Sequence, residues 1–441
     1  MTEIAASSTG KPEVHISVIH DDESEYIDGP RVVAILAVLF LVSLTSQVDR
    51  MLPFIMAEAI KSELSLSDAQ IGLLTGIAFA VCYTLLSLPL ARVSDRGSPR
   101  LVIVSCTLVW SAMTALGGVA ASFMVLAFTR FGVAFGEAGG TPAGHAIIAR
   151  KIRPERRGLA IGLFALGIPL GTMVGFAVGG AMSDTLGWRT ALIGAGALGG
   201  MIGLLAFVIV GPTPPRKTAT TSGEPFLHAS LRLLSSPGFR WLFIGAMISG
   251  FAAAPFYAFA APFLMRTHGY SASEAGLAFG LLQGLMGIFG TLIGGRWFDR
   301  AARSGTGRVL GPPGILFLIA SVTTTVALFV PVPWLSIMLL VPAMLSFAFL
   351  LPWGFGAAHL VAGKGREAMA TSLVMIGSGL FGPAFGPLIV GMISDAATET
   401  GIPNGLALGM LAIPAASALT GVAILVANRR IAASFRPPAI L

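Results

Sequence analysis

The chain has 441 residues, 55% of them hydrophobic and only 11% charged, with a formal net charge of +7. An ordinary soluble domain is about 25% charged, so a soluble globular protein is excluded and an integral membrane protein is indicated. The positive balance sits in short loops between apolar runs; it reports topology and anionic headgroups, and no nucleic-acid module accompanies it.

In chain order, residues 1–30 form a polar tail with seven carboxylates and one lysine, lacking the basic start and short apolar core of a signal peptide. We read it as a solvated cytoplasmic tail. Twelve apolar spans then follow, near 32–57, 69–91, 100–121, 123–149, 158–182, 189–210, 239–265, 274–296, 309–330, 334–361, 367–393 and 404–427. Each is long enough to cross about 30 Å of hydrocarbon as a helix. Cys82 and Cys106 lie inside apolar spans and the six histidines show no zinc-motif spacing, so neither a disulfide framework, a metal nor another cofactor is expected.

Lys and Arg crowd the connections after even-numbered spans, including Arg92, Arg96, Arg150, Lys151, Arg153, Arg216, Lys217, Arg296, Arg300, Arg308, Lys364 and Arg366. Both termini are therefore expected in the cytoplasm. The Pro- and Gly-rich stretch that begins at Gly211 leaves six spans on either side. The fold class expected is an all-α integral membrane protein with twelve transmembrane helices in two pseudo-symmetric six-helix bundles. The boundaries expected are a tail (1–30), an N-terminal bundle (31–211), a linker (212–238), a C-terminal bundle (239–428) and a second tail (429–441).

The halves repeat each other about 204–211 residues apart. Ala91-Arg-Val-Ser-Asp95-Arg96 after span 2 matches Gly295-Arg-Trp-Phe-Asp299-Arg300 after span 8. Gly180-Ala-Met-Ser183-Asp184 closing span 5 matches Gly391-Met-Ile-Ser394-Asp395 closing span 11. Against this apolar background four ionisable residues stand in mid-span: Asp49 and Arg50 in span 1, Arg130 and Glu137 in span 4. A charge at the bilayer centre costs roughly 2.5–3.5 kcal/mol on insertion scales, and such residues mark ion or substrate paths. Arg130 and Glu137, seven apart, share one helix face. Asp49 and Glu137 can carry a proton; Arg50 and Arg130 stay charged and suit a phosphate or carboxylate headgroup. The alternative is a permanently paired cluster that fixes helix packing. The C-terminal half has no mid-span charge and offers Tyr257, Phe259, Phe263, Met286, Trp353, Phe355 and His359 instead. One charged wall and one apolar wall suit an amphiphile. Gly167, Gly171, Gly175 and Gly179 form a small-residue stripe on span 5, echoed by Gly382 and Gly386 on span 11; static packing and a sliding gate are both open readings.

The six-plus-six arrangement, the small-x-x-x-Asp-Arg loops and Arg153-Pro-Glu-Arg-Arg157-Gly158 resemble the major facilitator superfamily over almost the whole chain. Val48-Asp49-Arg50, Gln70-Ile71-Gly72-Leu73-Leu74 and Arg130-Phe-Gly132-Val-Ala-Phe-Gly136-Glu137-Ala138 resemble its spinster-like branch. The loop Asp95-Arg96-Gly97-Ser98-Pro99-Arg100 is shorter than the family pattern. The resemblance implies spans 1 and 4 facing a central cavity, where a pair such as Asp49 with Arg130 could form. It implies Asp95, Arg96, Asp299 and Arg300 as a cytoplasmic latch, and a lysophospholipid or sphingosine-phosphate type of substrate. The function expected is proton-coupled transport of such an amphiphile by alternating access, with Arg50, Arg130, Tyr257 and Trp353 binding it and Glu137 and Asp49 handling the proton. The rivals are a proton-coupled multidrug or organic-anion carrier and, from another class, a non-transporting receptor. An enzyme is not expected, and the chain is expected as a monomer in a bacterial inner membrane, its partners being substrate, protons and lipid.

Overall fold

The computed structural model describes residues 26–27, 29–213, 226–304, 309–362 and 367–434. The acidic segment 1–25 with Asp28, the linker residues 214–225 with Arg216 and Lys217, Arg308, Lys364, Arg366 and the tail 435–441 lie outside the described residues. The first half comprises α1 (Pro30–Ile55), α2 (Ala57–Leu64), α3 (Asp68–Thr75), α4 (Ile77–Arg96), α5 (Pro99–Gly117), α6 (Phe123–Lys151) and α7 (Pro154–Val210). After α8 (Phe226–Ser235) come α9 (Pro237–His268), α10 (Ala272–Arg303), α11 (Gly311–Ala327), α12 (Pro333–Ala362), α13 (Glu367–Gly379), α14 (Phe381–Glu399), α15 (Gly405–Met410) and α16 (Ala412–Ser434). Among the described residues there is no strand.

Among the described residues nine helical segments are long and apolar enough to cross a bilayer, with α3–α4, α13–α14 and α15–α16 each acting as one. One of the nine, the 57-residue α7, reverses at Gly187, where φ is 77° and ψ 155°. That conformation is essentially open only to glycine, so α7 is two spans, residues 154–186 and 188–210. The charge-bearing α6 and the 17-residue α11 complete the expected twelve. Their starts follow local rules: Ser98 and Ser122 cap α5 and α6 through their hydroxyls, and proline occupies the first turn of α1, α5, α7, α9 and α11. Large apolar side chains such as Met124, Phe128, Phe131 and Phe135 line one outward face of α6, as lipid contact requires.

With no water to expel between helices in lipid, close packing must hold the bundle, and glycine supplies the closeness. The stripe on α7 packs onto α1: a Cβ on Gly167 would stand 2.6 Å from Ser43, and one on Gly171 2.6 Å from the Leu44 carbonyl. Gly175 and Gly179 continue against Met51 and Leu52. In the second half Gly382 meets Gly250 and Gly386 meets Pro255, so α14 packs onto α9 in the same manner. Both stripes are internal to their halves, which favours static packing over a gate. The halves meet along two other seams, α3 with α14 and the first arm of α7 with α10. Both seams run from mid-bundle to the end that carries the loops at 65–67 and 269–271, called distal below; the proximal end carries the loops at 97–98 and 152–153.

Candidate functional site

The four mid-span charges converge. Asp49, Arg130 and Glu137 are 3%, 7% and 2% exposed, while Arg50 is half-buried. Arg50 donates from Nη2 and Nε to Glu137 Oε2 at 2.7 and 3.2 Å, tying α1 to α6. Asp49 Oδ2 accepts instead from Thr114 Oγ1 of α5 at 3.0 Å. Arg130 lies within electrostatic reach of both carboxylates, yet its Nε is enclosed without a hydrogen-bond partner, as is Glu137 Oε1. The ion pair is thus Arg50 with Glu137, and the Asp49–Arg130 pair suggested by the sequence is not made. The long Arg50 side chain spans from α1 to Glu137 on α6, whereas the short Asp49 carboxylate meets the Thr114 hydroxyl of α5.

Helix α4 contributes an aromatic platform. The Arg50 guanidinium lies 4.7 Å from the Phe79 ring centroid and 4.9 Å from that of Tyr83, and Arg130 lies 5.6 Å from Phe79. The two rings stack at 5.6 Å. Cation–π contacts of this kind are worth about 0.5–2 kcal/mol, more when desolvated. Sequence reasoning missed Phe79, Tyr83 and Thr114. The i, i+4 aromatic pair on α4 was a signal, but a weak one in so apolar a chain.

The two arginines line different pockets. Arg50 lines a polar pocket with Ser43, Ser46, Gln47, Tyr83 and Thr141. Arg130 lines a largely apolar pocket with Pro53, Leu74, Met113, Thr114, Leu126 and Val133. The buried Phe79 ring lies under both guanidiniums.

In the second half Tyr257 of α9 is hydrogen-bonded to Gln283 of α10 and sits edge-on to Phe256. Phe259, Phe263 and Trp353 are fully enclosed; the Trp353 ring packs edge-on to Phe298 at 5.5 Å. Among the described residues no hydrogen bond or ring contact joins Tyr257 or Trp353 to the four charges. Trp353 of α12 is enclosed in the core of the second half in this conformation, in one apolar cluster with residues of α9, α10, α11, α13 and α16. Met286 packs from the edge of the core between the halves, Phe355 is half-buried beside Trp353, and His359 bonds to Thr371 Oγ1 at 2.7 Å as a helix-end histidine.

At the proximal end Asp95, Arg96, Asp299 and Arg300 are all exposed, and among the described residues none of their side chains joins an ion pair. The turn at 94–97 is held by Arg150, which donates to the carbonyls of Ser94, Asp95 and Gly97 at 2.9, 2.7 and 3.1 Å. The contacts expected of a latch are not made among the described residues in this conformation.

Three comparisons bear on the family. The profile described as Major Facilitator Superfamily matches residues 38–387. An MFS-type efflux pump of Mycolicibacterium smegmatis is 35% identical over 420 residues, covering 93% of this chain and 95% of that one. Protein spinster homolog 3 of Danio rerio is 26% identical, covering 82% and 77%. The crystal structure of a bacterial homolog to the human lysosomal transporter spinster, in an inward-facing and unoccupied conformation, superposes with a TM-score of 0.80 at 27% identity, over 94% of this chain and 100% of that chain. Its occupied inward-facing form gives 0.78. On the extent of these matches and the twelve-helix architecture, the chain belongs to the major facilitator superfamily.

Proposed function

We propose that this transporter couples proton movement to the passage of an amphipathic, lipid-like substrate of the lysophospholipid or sphingosine-phosphate type, by alternating access. The observation that carries the reading is the buried four-charge cluster with two titratable and two permanent members. Its formal charges balance when both carboxylates are ionised. Protonating either leaves one guanidinium without a counter-charge in a low-dielectric setting, where an anionic group would restore the balance. Proton uptake therefore favours an anionic headgroup and disfavours a cation. In this reading Glu137 and Asp49 take the proton, while Arg50 and Arg130 attract the headgroup from their two pockets. Tyr257, hydroxyl-bearing among aromatics, faces the tail. The proximal end, rich in Lys and Arg, is the cytoplasmic face of a bacterial inner membrane; both termini lie there. The chain works as a monomer of two bundles, 31–211 and 239–428, joined by 212–238.

The efflux pump at 35% identity favours a second reading, in which the same cluster moves small drug-like or organic-anion solutes. Binding of an anionic lysophospholipid, a cationic dye and a small carboxylate to purified protein at pH 5.5 and pH 8 separates them. The lipid reading requires tight lysolipid binding that strengthens at the lower pH. Preferential binding of the dye, strengthening at the higher pH, would replace it with the drug reading.

A further inference from the structure

The second repeated motif, Gly-x-x-x-Asp at the ends of spans 5 and 11, has no part in the charged cluster. In the first copy Gly180 presents bare backbone to the Ala272 carbonyl of α10, leaving no room for a Cβ. One turn later Asp184 Oδ2 accepts from Ser273 N at 2.7 Å and from its hydroxyl at 2.6 Å. In the second copy Gly391 receives the Asp68 carbonyl of α3 with the same closeness. One turn later Asp395 accepts from Asp68 N and Ala69 N at 2.9 and 2.8 Å.

Both receiving helices begin with a capping box, Ser67 with Gln70 on α3 and Ser271 with Glu274 on α10. A capping box satisfies two of the orphan amides at a helix start and leaves others open. On α3 those left over are the amides that Asp395 fills. A carboxylate at a helix N-terminus also meets the positive end of the helix dipole. Each half therefore completes one helix start of the other half, and the two caps are related by the pseudo-symmetry of the halves.

The second seam is reinforced around Asp68, which is 1% exposed. Its carboxylate accepts from Arg266 Nη1 and Nη2 at 2.7 and 2.6 Å, from Lys61 Nζ at 2.5 Å and from Ser394 Oγ at 2.6 Å. Arg266 also grips both Glu58 oxygens at 2.9 and 2.6 Å. The same small-residue-to-Asp spacing recurs at the proximal ends of spans 2 and 8, Ala91 to Asp95 and Gly295 to Asp299, where it stands exposed in this conformation.

We propose that the paired Gly-x-x-x-Asp ends of spans 5 and 11 are the distal gate of this transporter: the glycine admits the first turn of span 8 or span 2, and the aspartate one turn on caps it across the halves. Opening the distal end uncaps both helices and frees both carboxylates to water. This rests on the alternating-access reading, so the test reads conformation and not transport. Full-length protein is spin-labelled across the distal end at Ala121 and Ile402, and across the proximal end at Arg156 and Arg303, and distance distributions are measured for the unaltered chain and for Asp184→Ala with Asp395→Ala. The gate requires the distal-open population to rise at least tenfold and the proximal distance to shorten. Unchanged distributions at both ends would overturn it. If the double variant does not fold, Asp184→Ala alone, which keeps the Asp68–Arg266 network, must still raise the distal-open population, and its failure to do so counts equally against the gate. Shifted distances in a protein that shows no proton-driven transport would leave the gate standing and remove only the coupling reading.

Discussion

Asp49 and Glu137 are both buried carboxylates, yet their partners differ in kind. Glu137 holds an arginine, and Asp49 holds a hydroxyl. Thr114→Val keeps the shape of the site and removes Asp49's donor; we expect a loss of about 1–3 kcal/mol in folding stability, the usual cost of an unsatisfied buried group. Chemical denaturation of the purified protein checks this, and an unchanged midpoint would show that Asp49 finds another donor. Phe79→Leu keeps the bulk but removes the ring under both guanidiniums. Binding of an anionic lysolipid should weaken severalfold, and binding equal to that of the unaltered chain would show the platform to be packing alone. At this scale the sequence showed which residues carry charge but not how they pair. Helical periodicity sets the face of Arg50 and Glu137; which pair forms depends on axial offsets between spans and on how far each side chain reaches. Thr114 was hidden because a threonine in an apolar span most often bonds its own helix backbone, as Thr107 and Thr172 do here.

For the elements, the glycines sort into those that seat a neighbour and those that do not. Gly171→Ala would press a methyl to 2.6 Å from the Leu44 carbonyl, whereas Gly162 has nothing within 4 Å of its would-be Cβ. We expect Gly171→Ala to lower the melting temperature in detergent, and Gly162→Ala to hold or raise it, since alanine is favoured over glycine in a helix by about 1 kcal/mol. Equal melting of the two variants would contradict the α1–α7 packing described above. Gly187→Ala should cost about 1–3 kcal/mol by forcing a side chain into a backbone region that glycine alone adopts readily. Nearby, Glu63 accepts from Trp188 Nε1 at 2.6 Å and Arg189 Nε at 2.7 Å, and those two bonds hold its carboxyl below the usual carboxylate range. All twelve spans were legible from apolar run length, including α6 despite its two charges. The short α2 and the breaks at Gly76 and Leu380 were not; the Gly76 break, for one, sits where its backbone meets the Pro383 and Ala384 carbonyls of the other half. The Ser-Asp repeats were visible as a pattern. Their receivers, the starts of spans 8 and 2, lie on the opposite half, and no local rule points across.

Across the whole molecule, the seams are closed at the distal end and the predicted latch is free at the other. Because Asp95 and Asp299 are exposed and join no ion pair among the described residues, Asp95→Ala with Asp299→Ala should leave folding stability within about 0.5 kcal/mol. The same change should slow transport if these residues engage when the proximal end closes, and transport at the unaltered rate would show them to be topology signals only. The central claim is that the buried carboxylates move the proton. Its most direct test is uptake of an anionic lysolipid by proteoliposomes under an imposed pH gradient, comparing the unaltered chain with Glu137→Gln and Asp49→Asn. Gradient-driven accumulation is expected in the unaltered chain, with loss of that dependence in at least one variant that still binds the lipid; accumulation that ignores the gradient, or variants that respond to it as fully as the unaltered chain, would overturn proton transfer by these carboxylates.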